Sequence, residues 1–267
     1  MNCLGDELAN YFRNIPEIND RYTIQKICTY SNLHNTSILR DIQTCDILIT
    51  NNIKNYPHLT YDSLRTQVKP SCKICKIEFV RFDGYFPLSQ QKHANFLNVY
   101  DESTNSPHFN EYRDFSISKE VIQSHFHTNL SKLKELDNQS DIKFYEFFLN
   151  NHSHTSLFRD NTHLTHTFLK HIVKETLAFL GICTSISIDD LSLAYMDGFK
   201  FRIRPVLSCV KEALGLSFDT NVVNMFNTNI SIEQYYTYIQ NAKHCRNFQN
   251  VERLFYRMFP TGAGHIP

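Results

Sequence analysis

Between residues 45 and 80 the chain carries two short apolar runs with a helical stretch between them, and this spacing fixes the kind of sheet it can build. Cys45-Asp46-Ile47-Leu48-Ile49-Thr50 is a short, nearly continuous apolar run, the pattern of a strand buried on both faces of a parallel sheet. Leu59–Val68 has helical spacing, and Cys72–Val80 (CKICKIEFV) reads as a second strand. Upstream, Tyr22–Tyr30 alternates and reads as a strand, and Thr36–Gln43 reads as a helix that Thr36 would cap. Strand, helix, strand, helix, strand in that order predicts an α/β domain with a parallel sheet flanked by helices.

Helices dominate the rest. Leu4, Leu8, Tyr11 and Phe12 recur at helical spacing over residues 4–14. Residues 118–136 and 141–151 read as helices that would lie over the strand ends as a lid, within a lid region of about 100–160. Thr165–Leu180 is the strongest helical pattern: Phe168, Leu169, Ile172, Val173, Leu177 and Leu180 make one stripe, and Gly181 stops it. A helix over Val206–Leu214 and two more over 232–242 and 247–258 complete the chain. The organisation expected is an α/β core with a helical lid over residues 1–185, and a mainly helical C-terminal extension over 186–267 packed on it.

Composition removes several function classes. Lys+Arg and Asp+Glu stand at 27 each, so there is no overall field to draw in nucleic acid or an anionic membrane surface. No apolar run reaches the roughly 18–20 residues of a membrane span, and the start lacks the regions of a signal peptide. The 8 cysteines show no framework spacing, which reads as reduced thiols in a cytoplasmic protein. With 7 glycines and no G-x-G-x-x-G or P-loop, a dinucleotide fingerprint is absent. Cys72-Lys73-Ile74-Cys75 is a single C-x-x-C inside an alternating strand, and His125/His127 and His152/His154 are isolated H-x-H pairs; none predicts a metal site.

Two places carry acyl-transfer chemistry. Cys3 opens a helix, where free backbone N–H groups and the helix dipole stabilise a thiolate. Beside it, the Asn2 side-chain amide is placed to donate to an oxyanion. Far downstream, His163 follows Asp160 by three residues at the start of another helix, an arrangement in which the carboxylate orients a general base. Each has a plainer reading: Cys3 as a small packed residue, Asn2 as a helix cap, Asp160 or Thr162 as a cap with His163 facing solvent. Arg81-Phe82-Asp83-Gly84-Tyr85-Phe86-Pro87 is a loop leaving the end of a strand, where open α/β sheets place ligands.

Several segments, in this order, resemble the WcbI-type family of polysaccharide-biosynthesis acetyltransferases. They are Asn2-Cys3-Leu4-Gly5, Cys45-Asp46-Ile47-Leu48-Ile49, Gly84-Tyr85-Phe86-Pro87, Phe144-Tyr145-Glu146-Phe147-Phe148, Leu157-Phe158 with Asn161-Thr162-His163-Leu164-Thr165, and Arg204-Pro205-Val206 running to Leu214-Gly215-Leu216-Ser217-Phe218. They cover residues 1–240. Cys3 and Asp160-x-x-His163 also look like the nucleophile and Asp-x-x-His blocks of SGNH-type hydrolases, with Cys in place of Ser, so the fold implied is SGNH/flavodoxin-like. The chain departs from the family where His163-Leu164-Thr165 replaces His-Pro-Thr. It also has only Met1 before the Asn-Cys pair, where the family has a strand; the first strand is therefore expected to be missing.

The resemblance implies a cytoplasmic enzyme that carries an acetyl group from acetyl-CoA to a hydroxyl of a sugar or polysaccharide precursor. Catalytic roles would fall to Cys3, His163, Asp160 and Asn2, either through an acylated Cys3 or by direct attack of an acceptor activated by His163. Coenzyme A, with its phosphates, needs cations; the candidates are Arg81, Arg159 and the alternating Lys200, Arg202 and Arg204. A solvated edge strand would account for the last three equally well. No metal, nucleic acid or membrane span is implied. Two other functions fit the same residues: an SGNH-like carbohydrate esterase, and a non-catalytic protein that binds coenzyme A or glycan.

Overall fold

The computed structural model describes residues 3–27, 36–51, 57–87, 117–193, 204–226, 228–242 and 248–260. It is a mixed helix-and-sheet fold with a small parallel sheet and many helices. Two compact units divide it: Met1–Arg81, Ser131–Asn151 and Leu164–Met196 make the first, and Phe82–Leu130, His152–His163 and Asp197–Pro267 the second.

In the first unit, helix α1 (Cys3–Arg13) turns Leu4, Leu8, Tyr11 and Phe12 into the core. The short helix α2 (Pro16–Asn19) starts on a proline, whose fixed φ suits a first turn. After α3 (Thr36–Thr44) comes strand β1 (Ile47–Thr50), then α4 (Tyr61–Gln67) and strand β2 (Lys73–Lys76). Thr60 caps α4 by accepting from the Ser63 N–H at 3.3 Å. The strands pair in parallel, Ile47 with Lys73 and Thr50 with Lys76. Ile42, Leu59 and Leu64 form a small core beside them, with Ile27, Leu48 and Val68 packed against it.

The stretch read as alternating, Tyr22–Tyr30, contains no strand over residues 22–27, and residues 28–30 lie outside the described set. Local partners take its polar groups: the Tyr22 N–H donates to Ile18 O at 2.8 Å, and Arg13 reaches Ile24 O. The strand expected over Cys72–Val80 also stops early, at Lys76. Ile77 still donates to Thr50 O at 2.8 Å. On the edge of β2 that faces away from β1, the N–H groups of Lys76 and Glu78 go to the Asp141 carboxylate and the Ser140 hydroxyl at 2.7 and 2.9 Å, so side chains from far downstream occupy that edge. β1 is half-buried along its length rather than buried on both faces.

Helix α5 (Lys119–Gln139) begins in the second unit and ends in the first; α6 (Tyr145–Asn151) and α7 (His166–Leu180) follow in the first. Asp137 near the end of α5 accepts from the N–H groups of Phe144 and Tyr145 at 2.6 and 2.9 Å, satisfying donors at the start of α6. α7 buries Phe168, Leu169, Ile172, Val173, Thr176, Leu177 and Leu180 and packs on α1 and β2. Full burial of each large apolar side chain contributes about 1.5–3 kcal/mol. Gly181 terminates α7 with φ 69°, and Lys73 of β2 donates to Leu180 O at 2.7 Å, a cation on the negative end of the helix.

The second unit is built on aromatic rings. Phe82 lies edge-on to Tyr85 and Phe126, with centroids at 5.2 and 5.4 Å, and tilted against Phe158. A Cβ on Gly84 would fall 2.3 Å from the Phe82 ring, so only glycine fits there. Helix α8 (Ser208–Leu214) ends on Gly215, φ 62°. Strands β3 (Val222–Met225) and β4 (Thr228–Ser231) form an antiparallel pair absent from the sequence reading, joined through Phe226 at φ 50°. Burial of that ring with Tyr238 of α9 (Ile232–Ala242) and Phe255 of α10 (Phe248–Met258) offsets the strain. Among the described residues no helix is long and apolar enough to cross a membrane.

Candidate active site

The loop 159–163 is a self-contained hydrogen-bonded array. Asp160 Oδ1 accepts from the Thr162 N–H at 2.7 Å, the Thr162 hydroxyl at 3.0 Å and the His163 N–H at 2.9 Å. This is the turn an aspartate makes with the backbone following it. The same carboxylate takes the His163 ring: Nδ1 lies 2.8 Å from Oδ1 and 2.7 Å from Oδ2. Both side chains are buried, His163 with 7% exposed and Asp160 with 8%. Burial alone would push the Asp160 carboxyl up. Hydrogen bonds and charge from His163, with those from Thr162, outweigh it and hold the group below the usual carboxylate range. With Nδ1–H given to the carboxylate, the network assigns the tautomer in which Nε2 carries the basic lone pair.

The loop is tied at both sides. The Arg159 N–H donates to His163 O at 2.8 Å, closing the turn, and the Arg204 N–H donates to Arg159 O at 2.6 Å. The Arg159 side chain, 4% exposed, sends Nη2 to Asn224 O on β3 at 2.9 Å. Phe82 donates its N–H to Asn161 O at 3.0 Å, fixing the loop on the aromatic cluster.

Of the residues singled out from sequence, Asp160, His163, Arg159 and Arg204 thus meet in one part of the second unit. Arg81 is exposed and belongs to the first unit, as does Cys3, the first residue of α1. Asn2, Lys200, Arg202 and the Cys3 side chain lie outside the described residues. Three contributors were missed: the Thr162 hydroxyl, the Asn161 carbonyl and the Asn224 carbonyl. Thr162 was read only as a possible helix cap; its hydroxyl instead donates to Asp160, and the cap position falls to Thr165. The other two are main-chain atoms and leave no residue signature.

The remaining pairs take other partners. Cys72 and Cys75 are three apart along an extended chain, which sets them on opposite faces. His125 donates Nε2–H to Asp83 O at 3.0 Å, and His127 donates Nδ1–H to Gln123 O at 2.7 Å. Among the described residues no group of three or more His, Cys, Asp or Glu is placed to hold a metal ion.

The described residues thus combine a mixed helix-and-sheet fold with a buried histidine oriented by a carboxylate. The sequence model of the polysaccharide biosynthesis enzyme WcbI matches residues 1–185, and the chain belongs to the WcbI family of polysaccharide-biosynthesis enzymes. A solved structure of WcbI, described as a novel polysaccharide biosynthesis enzyme in its native form without a disulfide bond between coenzyme A and a cysteine, shares the fold. The likeness has a TM-score of 0.57 at 14% identity and covers 96% of this chain and 92% of that one. No curated relative matches the chain.

Proposed function

We propose that the protein is an acetyl-CoA-dependent O-acetyltransferase, acting in the cytoplasm on a hydroxyl of a sugar or polysaccharide precursor for capsule or other surface polysaccharide. The observation that carries this reading is the buried Asp160–His163 pair, a base held in one tautomer by a carboxylate kept ionised. Family membership supplies the polysaccharide context. The description of the solved WcbI structure, which names coenzyme A and a cysteine together, supports coenzyme A as the ligand and a cysteine beside it.

Acetyl-CoA brings an acetyl group already activated as a thioester. His163 Nε2 takes the proton of the acceptor hydroxyl as it attacks the acetyl carbonyl, and Asp160 stabilises the imidazolium that forms. Cys3, at the N-terminus of α1, is the nucleophile of a covalent route, and Asn2 donates to the oxyanion. The phosphates fall to Arg81, Arg159, Arg204, Lys200 and Arg202. The parallel β1–β2 pair with α4 between its strands supports an SGNH/flavodoxin-like sheet in a core spanning residues 1–185, with 186–267 as its C-terminal extension.

Calorimetric titration with coenzyme A and acetyl-CoA, followed by acceptor-dependent release of free coenzyme A, tests the reading. Micromolar binding with release that His163→Ala abolishes is the expected result. Hydrolysis of a sugar acetate without coenzyme A would replace it with the esterase, and binding without turnover would replace it with a binding protein.

A further inference from the structure

Cys45 lies two residues before β1 and Cys72 one residue before β2, with their Sγ atoms 3.6 Å apart across 27 residues of sequence. The Lys73 N–H donates to Asp46 O at 2.9 Å, so the backbones carrying the two thiols are already in register. Both side chains are half-exposed free thiols. A disulfide needs the sulfurs at about 2.05 Å, so closure brings the two Sγ atoms about 1.5 Å nearer than they stand. Cys45 donates to Ile42 O at 3.1 Å, and Lys69 and Asp46 form an ion pair at 2.6 Å alongside.

We propose that Cys45 and Cys72 are a modification site, a thiol pair that a small-molecule disulfide such as oxidised glutathione closes into a staple across β1 and β2. One Cys thiolate attacks a sulfur of the small disulfide, breaking its S–S bond and expelling one glutathione thiolate. The other Cys thiolate then attacks the mixed disulfide, forming the Cys45–Cys72 bond and expelling the second glutathione. Two thiols are oxidised to one disulfide, one disulfide is reduced to two thiols, and the two protons pass to the leaving thiolates. Burial, and then Cys45 itself, push the Cys72 thiol up to about 12, while Lys69 pulls the other way. Cys75, buried on β2 and also pushed up to about 12 by burial, is the inert internal control.

The test is to equilibrate the purified chain with reduced and oxidised glutathione over a range of ratios. Cross-linked peptides are read by mass spectrometry after alkylation, and thermal midpoints on the same samples. The expected result is a peptide joining Cys45 to Cys72, alkylated Cys75, and a midpoint raised by roughly 5–10 °C. Cys45→Ser and Cys72→Ser should each lose the cross-link and the rise. The proposal is overturned if saturating oxidised glutathione leaves the two residues unlinked or singly glutathionylated. It is equally overturned if the double serine variant gains the same thermal shift.

Discussion

Asp160 holds His163 by its main chain and by its ring at once: one carboxylate oxygen accepts the His163 N–H at 2.9 Å while both oxygens lie within 2.8 Å of Nδ1. One carboxylate thus folds the loop through its main chain and orients the imidazole through Nδ1.

Removing the carboxylate charge tests that fact against activity. Asp160→Asn keeps the size of the side chain but removes the charge and turns one of the two acceptor oxygens beside Nδ1 into a donor. Acceptor-dependent coenzyme A release should fall ~10²–10⁴-fold, with binding of coenzyme A within a few-fold of wild type by calorimetry. His163→Ala should fall as far. Full turnover by either variant would remove the pair from the chemistry.

The same carboxylate makes stability depend on acid. Its folded pKa lies below the usual range, so the unfolded chain binds the proton more readily. The stability that Asp160 contributes is fully present above its unfolded pKa, about 4, and is lost as pH falls through the lower, folded value. Urea midpoints should therefore drop more steeply for wild type than for Asp160→Asn below about pH 4. Parallel curves would assign the acid sensitivity to other carboxylates.

Gly84 is a steric requirement rather than a hinge. Gly84→Ala would set a methyl group 2.3 and 2.6 Å from two atoms of the buried Phe82 ring and 3.0 Å from Phe126. Overpacking of this kind costs ~1–3 kcal/mol, to be read as a lower urea midpoint. Phe82→Leu in the same chain should recover part of it by making room.

Lys73 serves two elements: its main chain is in the β1–β2 ladder and its Nζ caps α7 at Leu180 O. Lys73→Met preserves the stem and removes the charge, with an expected loss of ~0.3–1 kcal/mol. Addition of salt should shrink the difference between the two proteins.

The parts of the fold visible in the sequence were those whose cause is local. The α7 stripe and its stop at Gly181 depend on spacing within one segment, and Asp160 and His163 depend on a three-residue offset; both appear in the structure. What escaped depended on distant partners. Ser140, 62 residues downstream, takes the Glu78 N–H on the outer edge of β2, and nothing in CKICKIEFV announces it. The β3–β4 turn uses Phe226 in a conformation that sequence reading expects of glycine, made tolerable by the rings of Tyr238 and Phe255. Residues 22–27 alternate as a strand would, but their backbone neighbours are a helix end and a side chain.

The Asp160–Thr162–His163 array is complete within a few consecutive residues, and this compactness bears on how such a protein can diversify. A base assembled from pieces far apart in the chain is disturbed whenever any of its supporting elements drifts. A base folded by its own loop tolerates replacement of the surrounding walls, so that recognition of a new acceptor can be acquired without rebuilding the group that moves the proton.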